Sequence, residues 1–196
     1  MAGTTLVVLS FLLIGGLLLR KNEPYFNLRS VIQKHLGLFR NCRFQYIVFY
    51  VFPLLFAVGL AMLCGANRSF FSELSVILSI LISVLFAILS ILCGHDYSAV
   101  SDEFQKKRAK GVLQDTMNAI VFTVFLCIFL LLYGLVFSII GGLSFEWLPF
   151  DMEIIKRIVS GLAYYLIVVI LLNVFLIFKH MSKLVEFILN APKKKK

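Results

Sequence analysis

The chain has 196 residues, of which 61% are hydrophobic and 15% are charged, and its formal net charge is +9. A water-soluble domain of this length cannot bury so much apolar surface, so the composition excludes an ordinary soluble protein and indicates an integral membrane protein. The positive charge is divided among three segments that flank apolar runs. This distribution argues against nucleic-acid binding and favours contact with anionic lipid headgroups.

Uncharged apolar runs predict the fold class, an all-α integral membrane bundle of four core transmembrane helices plus an N-terminal anchor helix. Each core run is close to or above the roughly 20 residues that cross the hydrocarbon layer. For residues 1–19, a cleaved signal or a surface-lying segment remains an alternative to an anchor. The predicted order is an N-terminal anchor segment (1–21), an interfacial basic amphipathic segment (22–43), a transmembrane bundle (44–183) and a basic cytoplasmic tail (184–196). Within the bundle, the core spans are 44–66, 74–94, 117–142 and 158–178, and residues 95–116 form a cytoplasmic loop.

The first core span contains a proline and a ladder of small residues. Pro53 is expected to bend this helix, because proline cannot donate a backbone hydrogen bond. The ladder consists of Ala57, Ala61 and Gly65, and it would allow close approach of a neighbouring helix or of a neighbouring molecule. Since 66–72 is too short for anything but a turn, the spans on either side are expected to form an antiparallel hairpin, with Phe70 and Phe71 at the membrane interface.

Residues later in the chain give three further expectations about helix ends and about one polar side chain. Gly111 is a plausible end for a helix that continues past the membrane, and Asp115 or Thr116 is a plausible N-cap for the next span. Asn173 is the most polar residue inside a predicted span, so we expect it to make an interhelical hydrogen bond. The last span is expected to run on as a short helix over 182–189.

Two apolar runs each carry one stripe of small or hydroxyl-bearing residues when they are placed on a helix of 3.6 residues per turn. The first stripe, here called the serine face, consists of Ser72, Ser75, Ser79, Ser83, Ala87, Ser90 and Gly94. The second stripe, the threonine face, consists of Thr116, Ala119, Thr123, Cys127, Gly134, Ser138 and Gly141. Small residues allow helices to approach closely in lipid, so the two faces are expected to pack on each other. Alternatively, the serines of several copies could line a narrow, uncharged water path.

Basic residues predict the orientation of the chain, because Lys and Arg near span ends stay on the cytoplasmic side. Sixteen of the 19 Lys and Arg residues lie in residues 20–43, in the central loop or in residues 179–196. We therefore expect a multi-pass protein of the inner membrane with a cytoplasmic C-terminus. The final Lys193–Lys196 also fits an endoplasmic-reticulum retrieval signal, so that membrane is the alternative. The expected lipid-headgroup contacts are Arg40, Arg43, Lys106, Lys107, Arg108, Lys110, Lys179 and Lys183.

Catalysis would need nucleophiles, carboxylates or metal ligands within reach of one another. The three histidines, His35, His95 and His180, are not spaced for a metal site on one helix, and no known catalytic motif is present. His95 and Asp96 form the one potential acid–base pair, but adjacent residues on a helix point about 100° apart. The sequence therefore favours a non-enzymatic protein without catalytic, cofactor-binding or metal-binding residues.

One region resembles a known class of proteins. A serine-bearing span ends in residues 91–97 (ILCGHDY), a basic loop containing Lys106, Lys107 and Arg108 follows, and residues 113–119 (LQDTMNA) open the next span. This arrangement resembles the small multi-span inner-membrane effectors of bacterial antiphage defence systems. The resemblance implies an oligomerising protein that a cytoplasmic partner keeps inactive and that damages the membrane barrier once it is released.

The alternative is a structural or assembly membrane protein that packs against partner transmembrane helices or shapes lipid. Under either hypothesis the expected partners are anionic lipid headgroups and either further copies of the chain or another membrane protein, without nucleic acid.

Overall fold

A computed structural model describes residues 32–33, 37, 44, 47–65, 67–94, 103–140 and 152–189. The helices are α1 (Phe52–Leu63), α2 (Arg68–Gly94), α3 (Glu103–Ile140) and α4 (Met152–Leu189), and a π-helical turn (Ile47–Val51) leads into α1. The described residues contain no strand, so the all-α prediction is confirmed for this part of the chain. The predicted anchor (1–21) and nearly all of the interfacial segment (22–43) lie outside the described residues.

Three helices are long and apolar enough to cross a membrane. The qualifying stretches are Ser69–Gly94, Lys107–Ile139 and Lys156–Glu186, with 26, 33 and 31 residues. The prediction of a multi-pass membrane protein is confirmed at this level. The predicted span 44–66 corresponds to a shorter apolar helix, Ile47–Leu63. Its 17 residues extend about 25 Å, less than the roughly 30 Å of hydrocarbon, so a fourth core span is not confirmed.

Local chemistry explains where the first two helices begin. Pro53 lies at the start of α1, directly after the π-helical turn. The ring of proline cannot donate to the helical ladder, which accounts for the irregular turn at the position where a bend was expected. Before α2, the side-chain Oδ1 of Asn67 accepts a hydrogen bond of 2.9 Å from the backbone N–H of Phe70. This bond caps a donor that the first turn of a helix leaves unpaired.

Two of the expected helix boundaries are wrong. Helix α3 begins at Glu103 and passes through Gly111, Asp115 and Thr116 without a break. A glycine inside a helix costs only about 1 kcal/mol, and buried Ala109 and Thr116 on either side hold the helix in place. The segment 95–116 is therefore helical from residue 103 onwards. Helix α4, in contrast, agrees with the expectation for 182–189, since it continues to Leu189 as one helix with the last span.

The helices pack in an order that differs from their order in the chain. Helix α3 packs on α2 and on α4, while α1 packs mainly on α4. The expected hairpin partners α1 and α2 are therefore not a main packing pair, although only residues 64–67 separate them in the chain. Phe71 is 4% exposed in the interior of the bundle, and its position at the level of the membrane interface stays a prediction.

Large side chains form the interior of the α2–α3–α4 bundle. On α2, the buried residues repeat at intervals of three, four or seven, as in the heptad pattern of packed helices. This leucine seam consists of Phe71, Leu74, Leu78, Leu85 and Leu92. It packs against two clusters contributed by α3 and α4, the first around Leu130 and Leu166 and the second around Ile120 and Ile177.

Candidate functional site

The serine face is exposed on the outside of the bundle. Ser75 is half-buried, and the other members are exposed, namely Ser72, Ser79, Ser83, Ala87, Ser90 and Gly94. The prediction that the serine face packs on the threonine face of α3 is therefore wrong. At 100° per residue, the leucine seam lies roughly 140° around α2 from the serine face. Because the seam occupies the contact with α3, the serine face points away from it.

The serine hydroxyls are hydrogen-bonded within their own helix. Ser79 Oγ donates to the carbonyl oxygen of Ser75 at 2.8 Å, and Ser83 Oγ donates to that of Ser79 at 3.0 Å. Ser75 and Ser90 make the same kind of bond to Ser72 and Phe86. Such bonds remove most of the cost of exposing a hydroxyl to lipid, because the polar hydrogen already has an acceptor. The serine face is thus a shallow surface of low polarity.

The threonine face, in contrast, lies largely in the interior. Thr123 and Cys127 are fully buried, and Gly134 is also buried. Thr123 Oγ1 donates to the carbonyl oxygen of Ala119 at 2.7 Å. Ser138 is half-buried, and Gly141 lies outside the described residues. The small residues of this face accommodate large side chains of α2 and α4, not the serines.

At one end of the bundle, members of both faces line a common groove. This end, called the Phe71 end, contains the start of α2, the last turns of α3 and the start of α4. The groove has a volume of about 450 Å³, and its lining includes Ser72, Ser75, Gly134 and Ser138. The two faces border open space here instead of packing on each other.

Aromatic rings surround Phe71 at this end. The centroid of its ring lies 4.9 Å from that of Phe137 and 5.4 Å from that of Phe70. Phe70 in turn contacts Tyr164 of α4 edge-on, at a centroid distance of 5.4 Å. The hydroxyl of Tyr133 donates to the backbone carbonyl of Val159, at 3.0 Å, and so links α3 to α4.

The small-residue ladder of the first span faces α4. Ala57 is 1% exposed, and a Cβ atom built on Gly161 would lie 3.4 Å from the Cβ of Ala61. Gly65 is exposed beyond the end of α1. Two of the three ladder residues are therefore used inside the chain, and the suggestion that the ladder is free for a neighbouring molecule is wrong for these two.

The predicted headgroup contacts that the structure describes are exposed and gather at the opposite end, called the Lys107 end. Exposed side chains there are Lys107, Arg108, Lys110, Lys179 and Lys183. Lys106 belongs to α3, but its side chain is outside the described set, as are Arg40 and Arg43. Because α3 and α4 run antiparallel, the two basic clusters share one end of the bundle. Contact with lipid headgroups stays a prediction.

Two polar side chains of α4 have buried atoms without a partner. Asn173 is 1% exposed, and its Nδ2 donates to the carbonyl of Val169 in its own helix at 2.8 Å. Among the described residues, Asn173 therefore does not make the expected interhelical bond. Within the described residues, neither Asn173 Oδ1 nor His180 Nδ1 has a hydrogen-bond partner. Seven residues apart, they lie on the same side of α4 about 10 Å from each other.

The described residues offer little reactive chemistry. They contain no group of three His, Cys, Asp or Glu residues that could hold a metal ion. The cysteines described are free thiols, with Cys64 and Cys93 exposed and Cys127 buried. His95 and Asp96 lie outside the described residues.

Comparisons with protein families, with curated proteins and with solved structures found no match to this chain. The feature that our sequence interpretation missed is the leucine seam of α2. Its heptad spacing is visible in the sequence, and in a helix it excludes the serine face from the same interface.

Proposed function

We propose that the protein is a non-enzymatic integral membrane protein that oligomerises through the serine face of α2. In the antiphage role implied by the resemblance, release from a cytoplasmic partner lets this oligomer perturb the membrane. The observation that carries the proposal is the exposure of the serine face on a helix that packs on α3 through a different side, the leucine seam.

The position of α2 in the bundle supports this assignment. In the most apolar stretch of α2 only 17% of the residues are buried within the chain, against 39% in α3 and 33% in α4. Helix α2 is therefore peripheral, and it offers a long surface to other molecules. Much of the remaining exposed surface of α2 carries bulky side chains such as Ile77, Ile80 and Ile91. The serine face is therefore the exposed side of α2 with the smallest side chains.

Association in lipid depends on shape more than on hydrophobicity. Lipid tails are as apolar as leucine, so helices associate through van der Waals packing and close backbone approach. A face of serine, alanine and glycine permits this approach, whereas a face of isoleucine keeps the helix axes further apart. Two copies related by an axis along the membrane normal would bring the same serine positions together.

Disulfide trapping tests the oligomer. In a variant without the four native cysteines, Ser83→Cys places one thiol on the serine face. Ile77→Cys is the matched control, because Ile77 is 61% exposed but lies roughly 135° away from the serine face around α2. A disulfide requires Cα atoms within about 7 Å. We expect oxidation in membranes to give a covalent dimer with Ser83→Cys and little with Ile77→Cys. Equal yields from both positions would contradict the proposed interface.

A second variant tests whether the crosslink comes from close packing of two serine faces or from random collisions between molecules. Ser79→Leu fills the serine face one turn from position 83 and should abolish the crosslink of Ser83→Cys, while Ile77→Leu should leave it intact. Both substitutions keep α2 apolar, so neither removes a membrane span. A crosslink that survives Ser79→Leu would show that the serine face is not the contact surface.

Membrane potential and growth test the effector role. We expect expression in bacteria to depolarise the inner membrane and arrest growth, and the Ser79→Leu variant to do so much less. Unchanged polarisation under every activation condition, despite efficient crosslinking at position 83, would exclude the effector and leave a structural or assembly membrane protein. Depolarisation that is independent of crosslinking would contradict the link between the two.

A further inference from the structure

A second open groove runs between α1 and α4 at the Phe71 end of the bundle. It has a volume of about 520 Å³, which is within the range of roughly 300–1,000 Å³ that is typical of ligand pockets. Ala61 meets Gly161 in its floor, and Ala57 also lines it, so that only small side chains border the space here. Nothing in the proposed oligomer interface uses this groove.

The walls of the groove are apolar and face outwards. Val58 and Leu54 on α1 are 50% and 52% exposed, and Leu162 on α4 is 42% exposed. In a membrane this surface is in contact with acyl chains and not with water. An open groove between two helices gives one linear chain along the helix axes more van der Waals contact than a flat surface does.

A cation marks one end of the groove. Arg157 is among the lining residues, is exposed, and follows exposed Lys156, at which the membrane-crossing stretch of α4 begins. Arg157 also has an interaction within the protein, but a guanidinium has five N–H donors and retains capacity for a phosphate. The groove therefore combines an apolar channel with positive charge at the level of the headgroups.

The length of the groove matches one leaflet. Along α4, from Arg157 to Tyr165 at the far end of the lining, the rise is about 12 Å. Half of the hydrocarbon layer is about 15 Å thick. An acyl chain that lies along the groove can thus extend from the headgroup region almost to the middle of the bilayer.

We propose that the groove between α1 and α4 binds one anionic phospholipid, whose acyl chain lies against Ala61 and Gly161 and whose headgroup contacts Arg157. Charge decides the class of lipid. Both anionic and zwitterionic phospholipids carry a phosphate, but the cation in the lining, Arg157, favours the headgroup with a net negative charge.

Fluorescence quenching by brominated lipids tests the site. Trp147 is the single tryptophan of the chain, so Trp147→Phe gives a background into which one reporter is placed. Met62→Trp puts the reporter at the groove, where Met62 is 74% exposed. Phe129→Trp is the matched control, because Phe129 is 38% exposed on α3 and no charged residue lies within ten positions of it. Vesicles contain brominated phosphatidylglycerol or brominated phosphatidylcholine in an unlabelled background.

We expect the reporter at position 62 to be quenched with about a five-fold preference for the anionic lipid, the factor that corresponds to one cation near an anionic headgroup. The reporter at position 129 should show no preference. Arg157→Gln should remove most of the preference at position 62, and Arg157→Lys should retain it. Equal quenching by both lipids at position 62, or a preference that survives Arg157→Gln, would overturn the proposal. So would a reporter at position 62 that neither lipid quenches, because another molecule would then cover the groove.

Discussion

Phe71 of α2 lies directly against Gly134 of α3, where a Cβ atom at position 134 would come within 2.9 Å of Cδ1 of the ring. The ring cannot easily move, since Phe137 and Phe70 contact it on other sides. Gly134 is thus the point at which the threonine face of α3 accepts a side chain of the leucine seam. This contact fixes how α2 and α3 are placed along each other at the Phe71 end.

Gly134→Ala should lower stability. Alanine is the better helix former by about 1 kcal/mol, but overpacking against a fixed ring costs about 1–3 kcal/mol. We therefore expect a net loss of up to about 2 kcal/mol, measured by denaturation of the protein in detergent micelles. Gly111→Ala in the same helix is the control, since a Cβ there meets no atom within 4 Å. If both variants have the stability of the wild type or more, the close contact is not present.

Tyr133→Phe should weaken the interface between α3 and α4. It removes the hydrogen bond to the carbonyl of Val159 and keeps the ring, so we expect a loss of about 0.5–1 kcal/mol. Tyr164→Phe is the control, because the contact of its ring with Phe70 does not need the hydroxyl. Detergent denaturation of both variants should separate them. An equal effect of the two substitutions would argue against a specific role for the Tyr133 hydroxyl.

Asn173→Leu should stabilise the bundle. The buried Oδ1 of Asn173 has no partner in the described residues, and an unsatisfied buried acceptor costs about 1–3 kcal/mol. Leucine has the same branched arrangement of side-chain heavy atoms and no polar atom, so we expect the denaturation midpoint to rise. Thr123→Val is the reference, since its hydroxyl is already satisfied within α3 and its loss should matter little. A clear fall in the midpoint of Asn173→Leu would indicate that the amide has a partner in the membrane.

The two basic clusters at the Lys107 end should be labelled from the same side of the membrane. In a cysteine-free variant, Lys107→Cys and Lys183→Cys should react with a membrane-impermeant maleimide only after the cytoplasmic side is opened, and Arg157→Cys should react from outside. Opposite accessibility of positions 107 and 183 would contradict the antiparallel packing of α3 and α4. Labelling of both from outside would instead reverse the predicted orientation.

Parts of the fold were predictable because their causes are local. The apolar runs around residues 80, 128 and 168 specify membrane-crossing helices by length and composition alone. Pro53 predicted a bend, and the chain forms a π-helical turn just before it, because the lack of a backbone donor acts locally. Gly111 misled the prediction, because its small helical penalty is outweighed by the packing of neighbouring residues such as Ala109 and Thr116.

The sequence by itself determined that this protein is helical and belongs in a membrane, since both properties follow from the number and spacing of apolar residues. It also contained both faces of α2, the serine face and the leucine seam. Only the tertiary structure decided that the seam packs inwards and the serine face outwards, and that Ala61 meets Gly161 of α4. In lipid no hydrophobic penalty distinguishes one apolar face from another, so shape complementarity among all the helices decides which face is buried.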